Sequence, residues 1–110
     1  MNLLDKKCRP CGGETAPLPA NRIDLYLRQV DGWTADPDRK AISKTFTFSG
    51  FYQAMSFINA LAWIAIRQGH HPDFSAGYND VVVNFTTHAL DGLSENDFIC
   101  AARVDALLEK

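Results

Sequence analysis

No stretch of the chain is apolar for long enough to cross a bilayer. The longest unbroken apolar run, Ala60 to Ile66, falls far short of the ~20 residues that a spanning helix needs. The N-terminus also lacks a basic segment followed by an apolar one, the pattern of a secretory leader, so a soluble, unsecreted protein is expected. Basic residues are few and dispersed, 11 Lys and Arg spread from Lys6 to Lys110 against 13 Asp and Glu, for a net charge of −2. A nucleic-acid groove requires a basic cluster, so direct nucleic-acid binding is not expected. Cysteine is scarce and odd in number: Cys8, Cys11 and Cys100 do not make the even framework of a disulfide-stapled domain. A reducing cytoplasm fits this usage best.

What the chain does contain is one domain's worth of patterned sequence. Its 110 residues suffice for one modest core. Residues 1–20 hold Cys8, Pro10, Cys11, Gly12, Gly13, Pro17 and Pro19, a density of breakers that predicts an irregular N-terminal arm which need not belong to the core. Residues 21–110 form the expected domain. Ile23, Leu27 and Val30 follow helical spacing, predicting a helix that ends near Asp31-Gly32 in a left-handed glycine cap.

Trp33 to Ala35 and Ile42 to Phe48, separated by the turn signal Asp36-Pro37-Asp38, predict a hairpin in which Lys44 interrupts the apolar side. Gly50 to Gln68 reads as a long helix, apolar on more than one side. The surplus apolar surface is assigned to Phe57, Leu61 and Ile64 and points to a subunit contact; a helix sunk deep in the core is the alternative. Val81 to His88 predicts a strand with Val81, Val83 and Phe85 on one face and His88 on the other. Ser94-Glu95-Asn96-Asp97 has capping-box spacing for a last helix docking through Cys100, Ala101, Val104, Leu107 and Leu108. The order α-β-β-α-β-β-α predicts an α+β fold, a four-stranded antiparallel sheet with helices on one face.

All three histidines, His70, His71 and His88, fall within one short part of the chain. Gly69 frees the helix to end and Pro72 biases His71 to an extended backbone, so the pair sits in a constrained segment. Imidazole titrates near ~6.5, which makes both protonation states available for general acid–base work. Ordinary capping histidines would also favour a helix C-terminus. A three-histidine zinc site is a further reading, weakened because neighbouring residues in an extended segment point in opposite directions. Cys8-x-x-Cys11 is half of a zinc or redox motif with no second pair, Cys100 reads as a buried small hydrophobe, and Asp97 as a helix cap or the orienting partner of a histidine.

The run Gly69-His70-His71-Pro72-Asp73-Phe74, then Tyr78, Thr87-His88 and Gly92 to Asp97 resembles the signature of the pterin-4a-carbinolamine dehydratase family. The order and intervals of His70-His71-Pro72, Tyr78, His88 and Asp97 match, and the resemblance runs from about Pro17 to Leu108. It implies an α+β fold assembled as a homodimer or homotetramer, and a hydro-lyase that removes water from a 4a-hydroxytetrahydropterin to give the quinonoid dihydropterin, with no metal or organic cofactor. It further implies His71 and His88 as the acid–base pair and His70 as a proton-transfer or pterin-orienting group. Asp97, Phe74, Tyr78 and Pro72 are implied as orienting or substrate-binding residues. The chain departs from the family at Ile66, where an acidic residue is usual, and at Phe74, where many members carry Trp. A non-catalytic interaction or assembly module is the competing function.

Overall fold

The computed structural model describes residues 2–10 and 16–108. Three helices, α1 (Ala20–Leu27), α2 (Phe51–Gln68) and α3 (Glu95–Ala106), pack on one face of a sheet made by β1 (Thr34–Ala35), β2 (Ile42–Thr47), β3 (Asp73–Ala76) and β4 (Asp80–Phe85). The strand order is β1-β2-β4-β3 and every neighbouring pair is antiparallel. The expected order of elements and the four-stranded antiparallel sheet are thus present, with two short 3₁₀ turns, Leu3–Asp5 and His88–Leu90, added.

The period of two along β4 decides which face is covered. Val81, Val83 and Phe85 are buried, whereas Asp80 before them and Val82 between them are exposed. Opposite them in register stand Phe46, Lys44 and Ile42 of β2, so Lys44 does enter the apolar side. Its ammonium is accommodated because it reaches the Asp105 carboxylate at 2.9 Å and the Asp31 carbonyl at 2.8 Å, which leaves the stem to cover apolar surface. Trp33 packs against Phe46 and Phe85 and donates its indole N–H to Asp105 at 3.1 Å.

Several boundaries differ from the sequence expectation. Helix α1 ends at Leu27 rather than near Gly32, since the amides of Gln29 and Val30 bond the carbonyls three residues back and tighten the last turn. Gly32 does adopt positive φ, 82°, and a β-carbon there would stand 2.9 Å from Lys44 Cε. Strand β4 stops at Phe85, and His88 lies in the following 3₁₀ turn, not on the strand. Leu107 and Leu108 are partly exposed beyond the end of α3; the core side of that helix is formed by Phe98, Ile99, Cys100, Ala101 and Val104.

The apolar surplus of α2 also lies elsewhere than expected. Ala54, Phe57, Leu61 and Ile64 are its buried stripe, while Tyr52, Trp63 and Ile66 are the outward residues, Trp63 at 62% and Ile66 at 78% exposure. The N-terminal arm is not separate from the core either: Leu3 is buried within it, and Arg103 of α3 donates to the Lys6 carbonyl at 2.7 Å. Cys11, Gly12 and Gly13 fall outside the described residues.

Candidate active site

The site is built where three chain reversals meet. Helix α2 ends at Gly69, whose φ of 64° is left-handed, and the His70 amide bonds back to the Ala65 carbonyl, as in a Schellman-type close. The chain is thereby turned so that His70 leaves the helix axis and enters the gap between β4 and α3. Its ring lies nearly parallel to Phe85, 6.1 Å between centroids, and its Nε2 is 2.6 Å from Asp97 Oδ1.

Asp97 is fully buried, and its second oxygen is equally committed. Oδ2 accepts from the Thr87 hydroxyl at 2.8 Å and from the Ser94 amide at 2.9 Å. Ser94 Oγ lies 2.7 Å from Thr87 Oγ1; with the Thr87 proton given to Asp97, Ser94 is the donor of that contact. A buried carboxylate needs such donors to remain ionised. Asp97 is therefore both a helix-capping residue and the partner of a histidine, the two roles its position in the sequence leaves open.

Burial alone would lower the pKa of His70, but the hydrogen bond and negative charge of Asp97, aided by the Cys8 thiolate, outweigh it and raise the pKa above the ordinary 6.5. The side chain retains 12% exposure, so the ring is held by Asp97 on one side and open to a cavity on the other. That cavity, of about 220 Å³, is lined by His70, His71 and His88 together with Thr86, Thr87 and, from the arm, Arg9 and Pro10. His71 and His88 are exposed, with ring centroids 6.3 Å apart. His88 Nε2 is 3.9 Å from Asp73 Oδ2, a solvent-exposed pair of little energetic weight.

All three predicted histidines line one cavity, and Asp97 supports it from behind. Pro72, Phe74 and Tyr78 are not among its described lining residues. Phe74 is half-exposed on the edge strand β3, and Tyr78 stacks on Phe51 with centroids 6.4 Å apart. Ile66, one turn before His70, is outside the lining as well. The glycine turn explains this, because helical spacing ceases to relate the two positions once the chain leaves α2. A larger cavity, about 450 Å³, lies between α2 and the end of α3 against Phe48, Tyr52, Phe57 and Leu108, and no histidine or carboxylate is among its described lining residues. Among the described residues no group of three His, Cys, Asp or Glu side chains is placed to hold a metal ion.

Sequence reasoning missed the contribution of the arm. Asn96 accepts from the Arg9 amide at 2.9 Å and donates to the Arg9 carbonyl at 2.6 Å, while Gln68 accepts from the Cys8 amide at 3.0 Å. These two amide side chains seat the arm beside the histidines. No local pattern announces that pairing.

Residues 16–107 match the family model described as pterin 4 alpha carbinolamine dehydratase. The chain belongs to this family. A protein of Nitrosospira multiformis provisionally named pterin-4-alpha-carbinolamine dehydratase is 50% identical over 98% of this chain and 94% of its own; one from Dechloromonas aromatica with the same provisional name is 49% identical over 98% and 95%. Among solved structures, a transcriptional coactivator/pterin dehydratase from Brucella melitensis superposes with a TM-score of 0.81 at 32% identity, covering 84% of this chain and 99% of that one. A pterin dehydratase-like protein identified as a RuBisCO assembly factor in the alpha-carboxysome superposes with a TM-score of 0.61 at 30% identity, covering 69% and 88%.

Proposed function

We propose that the chain is a hydro-lyase that dehydrates a 4a-hydroxytetrahydropterin to the quinonoid dihydropterin by histidine acid–base catalysis. The observation that carries this reading is the convergence of His70, His71 and His88 on one cavity, with Asp97 buried behind His70, in a member of this family. Loss of water from carbon 4a breaks the carbon–oxygen bond as the lone pair of nitrogen 5 forms a carbon–nitrogen double bond. One proton must reach the departing oxygen and one must leave nitrogen 5. His71 and His88, exposed and facing each other across a gap of 6.3 Å between ring centres, are the proton donor and acceptor. His70, whose pKa Asp97 raises against the effect of burial, orients the pterin or supplies a further proton. A well-placed group of this kind contributes roughly 10²- to 10⁴-fold to a proton-transfer step.

The test is a dehydration assay on freshly generated 4a-hydroxytetrahydropterin. A rate above the spontaneous one, lost when the histidines are replaced, is the expected result; a rate equal to the spontaneous one overturns the proposal.

The outward face of α2 supports a second proposal, a homodimer or homotetramer. Tyr52, Trp63 and Ile66 leave more apolar surface on one helix than a solvated face ordinarily carries. The same surface is what a non-catalytic assembly role would use, and the dehydration assay separates the two functions.

A further inference from the structure

Cys8 and Cys100 stand 92 positions apart in the chain, yet their sulfurs are 3.5 Å apart. We propose that they are a reversible thiol–disulfide pair, oxidised by a hydroperoxide, which bonds the N-terminal arm to α3 at the wall of the histidine cavity.

The geometry requires little movement. A disulfide bond is about 2.05 Å long, so the sulfurs must close by roughly 1.5 Å. Cys100 is buried in the middle of α3, whereas Cys8 lies in the arm after the Leu3–Asp5 turn, without regular secondary structure. The movement therefore falls on the side that can yield. Cys8 is half-buried and Cys100 fully buried, so an oxidant meets Cys8 first.

The two thiols are also chemically unequal. The hydrogen bond from Cys100 lowers the pKa of Cys8 below the ordinary 9.0, with burial opposing and the charge of His70 assisting. That same hydrogen bond and burial raise the pKa of Cys100. An asymmetric pair of this kind has one attacking and one resolving sulfur.

In the first step the Cys8 thiolate attacks the distal oxygen of the hydroperoxide. The oxygen–oxygen bond breaks, Cys8 becomes a sulfenic acid, and the leaving alkoxide takes a proton to give an alcohol, or water from hydrogen peroxide. Neutral sulfenic acid no longer holds up the Cys100 pKa by charge, and Cys100 sulfur attacks Cys8 sulfur. The sulfur–sulfur bond forms as the sulfur–oxygen bond breaks, and hydroxide departs with the Cys100 proton as water. Two thiols are oxidised by two electrons and one hydroperoxide is reduced. A small-molecule dithiol reverses the step by exchange. Arg9 and Pro10, which follow Cys8 and line the cavity, are tied down in the oxidised form.

The full chain is treated with hydrogen peroxide at near-equimolar dose, alkylated, digested and analysed by mass spectrometry. Arg9 is followed by Pro10, so trypsin leaves Cys8 and Cys11 on one peptide, and a Cys11→Ser variant is run beside the natural chain. The expected product in both is a linkage between the Cys8 and Cys100 peptides, released by dithiothreitol. A linkage that disappears in Cys11→Ser, a sulfinic acid at Cys8 with Cys100 still free, or three unreacted thiols would each overturn the proposal.

Discussion

The Asp97 carboxylate, out of reach of water, stands 2.6 Å from Nε2 of His70 and spends its other oxygen on Thr87 and Ser94. One buried charge thus closes the N-terminus of α3 and fixes an imidazole in the cavity. Asp97→Ala removes the acceptor of three donors and leaves His70 without its counter-charge. Breaking a buried pair of this kind costs about 3–5 kcal/mol, and urea denaturation is expected to show a loss of that order. Asp97→Asn, which keeps a carbonyl acceptor but not the charge, is expected to lose less stability and to bring the His70 titration, followed by NMR, down towards or below the ordinary value.

The same pair makes stability depend on pH with a defined sign. The folded-state pKa of His70 is raised above the ordinary 6.5, so its contribution is complete below about pH 6.5 and is lost as pH rises through the folded value. Cys8, whose pKa is lowered, titrates with the opposite effect and gains stability over part of that range. In a Cys8→Ser background, stability is therefore expected to fall with rising pH in this window, and His70→Gln should remove that slope. A curve that rises there instead would contradict the assignment of His70 as a bound imidazolium.

His71 and His88 are exposed and hold no core volume. Replacing either by alanine is expected to leave stability within about 0.5 kcal/mol and to lower the dehydration rate roughly 10- to 1,000-fold. Wild-type turnover in both variants would mean that proton transfer runs through other groups.

The faces of α2 are separable by single charges. Leu61→Asp places a carboxylate in the buried stripe and is expected to unfold the domain, since an unpaired buried charge costs several kcal/mol. Trp63→Asp, on the outward face, is expected to leave the circular dichroism spectrum intact and to shift sedimentation to a smaller species. An unchanged sedimentation coefficient would remove this face from any assembly.

Ile66→Glu bears on the family's usual acidic position. The side chain is 78% exposed, so a glutamate there stays solvated and the melting temperature should change little, with stability within about 0.5 kcal/mol. Faster turnover at unchanged stability would show that bound substrate extends from the cavity to the last turn of α2.

Periodicity was enough to order the elements and to place Val81, Val83 and Phe85 on the covered face, because a half-buried strand has only two sides. It was not enough to rank the sides of α2, where apolar residues occupy nearly the whole circumference and only the packed sheet distinguishes Leu61 from Trp63. The grouping of the histidines was legible from their closeness in the chain, and Asp97 from its capping spacing. Their convergence depended on the left-handed turn at Gly69, which also carried Ile66 out of the neighbourhood that helical spacing implied. The contacts of Cys8 with Cys100 and of Arg9 with Asn96 join the two ends of the sequence, and local patterns carry no information about partners so distant.

The hold of Asn96 on Arg9 bridges 87 positions, and this span has a kinetic meaning. Closing a long loop brings its entropic cost before its contacts give any return. The arm is therefore expected to dock late, after the folding transition state. Contacts made after the transition state govern how fast a protein opens more than how fast it forms. Weakening the Asn96 clasp is accordingly expected to shorten the lifetime of this wall of the histidine cavity while the rate of folding stays nearly the same.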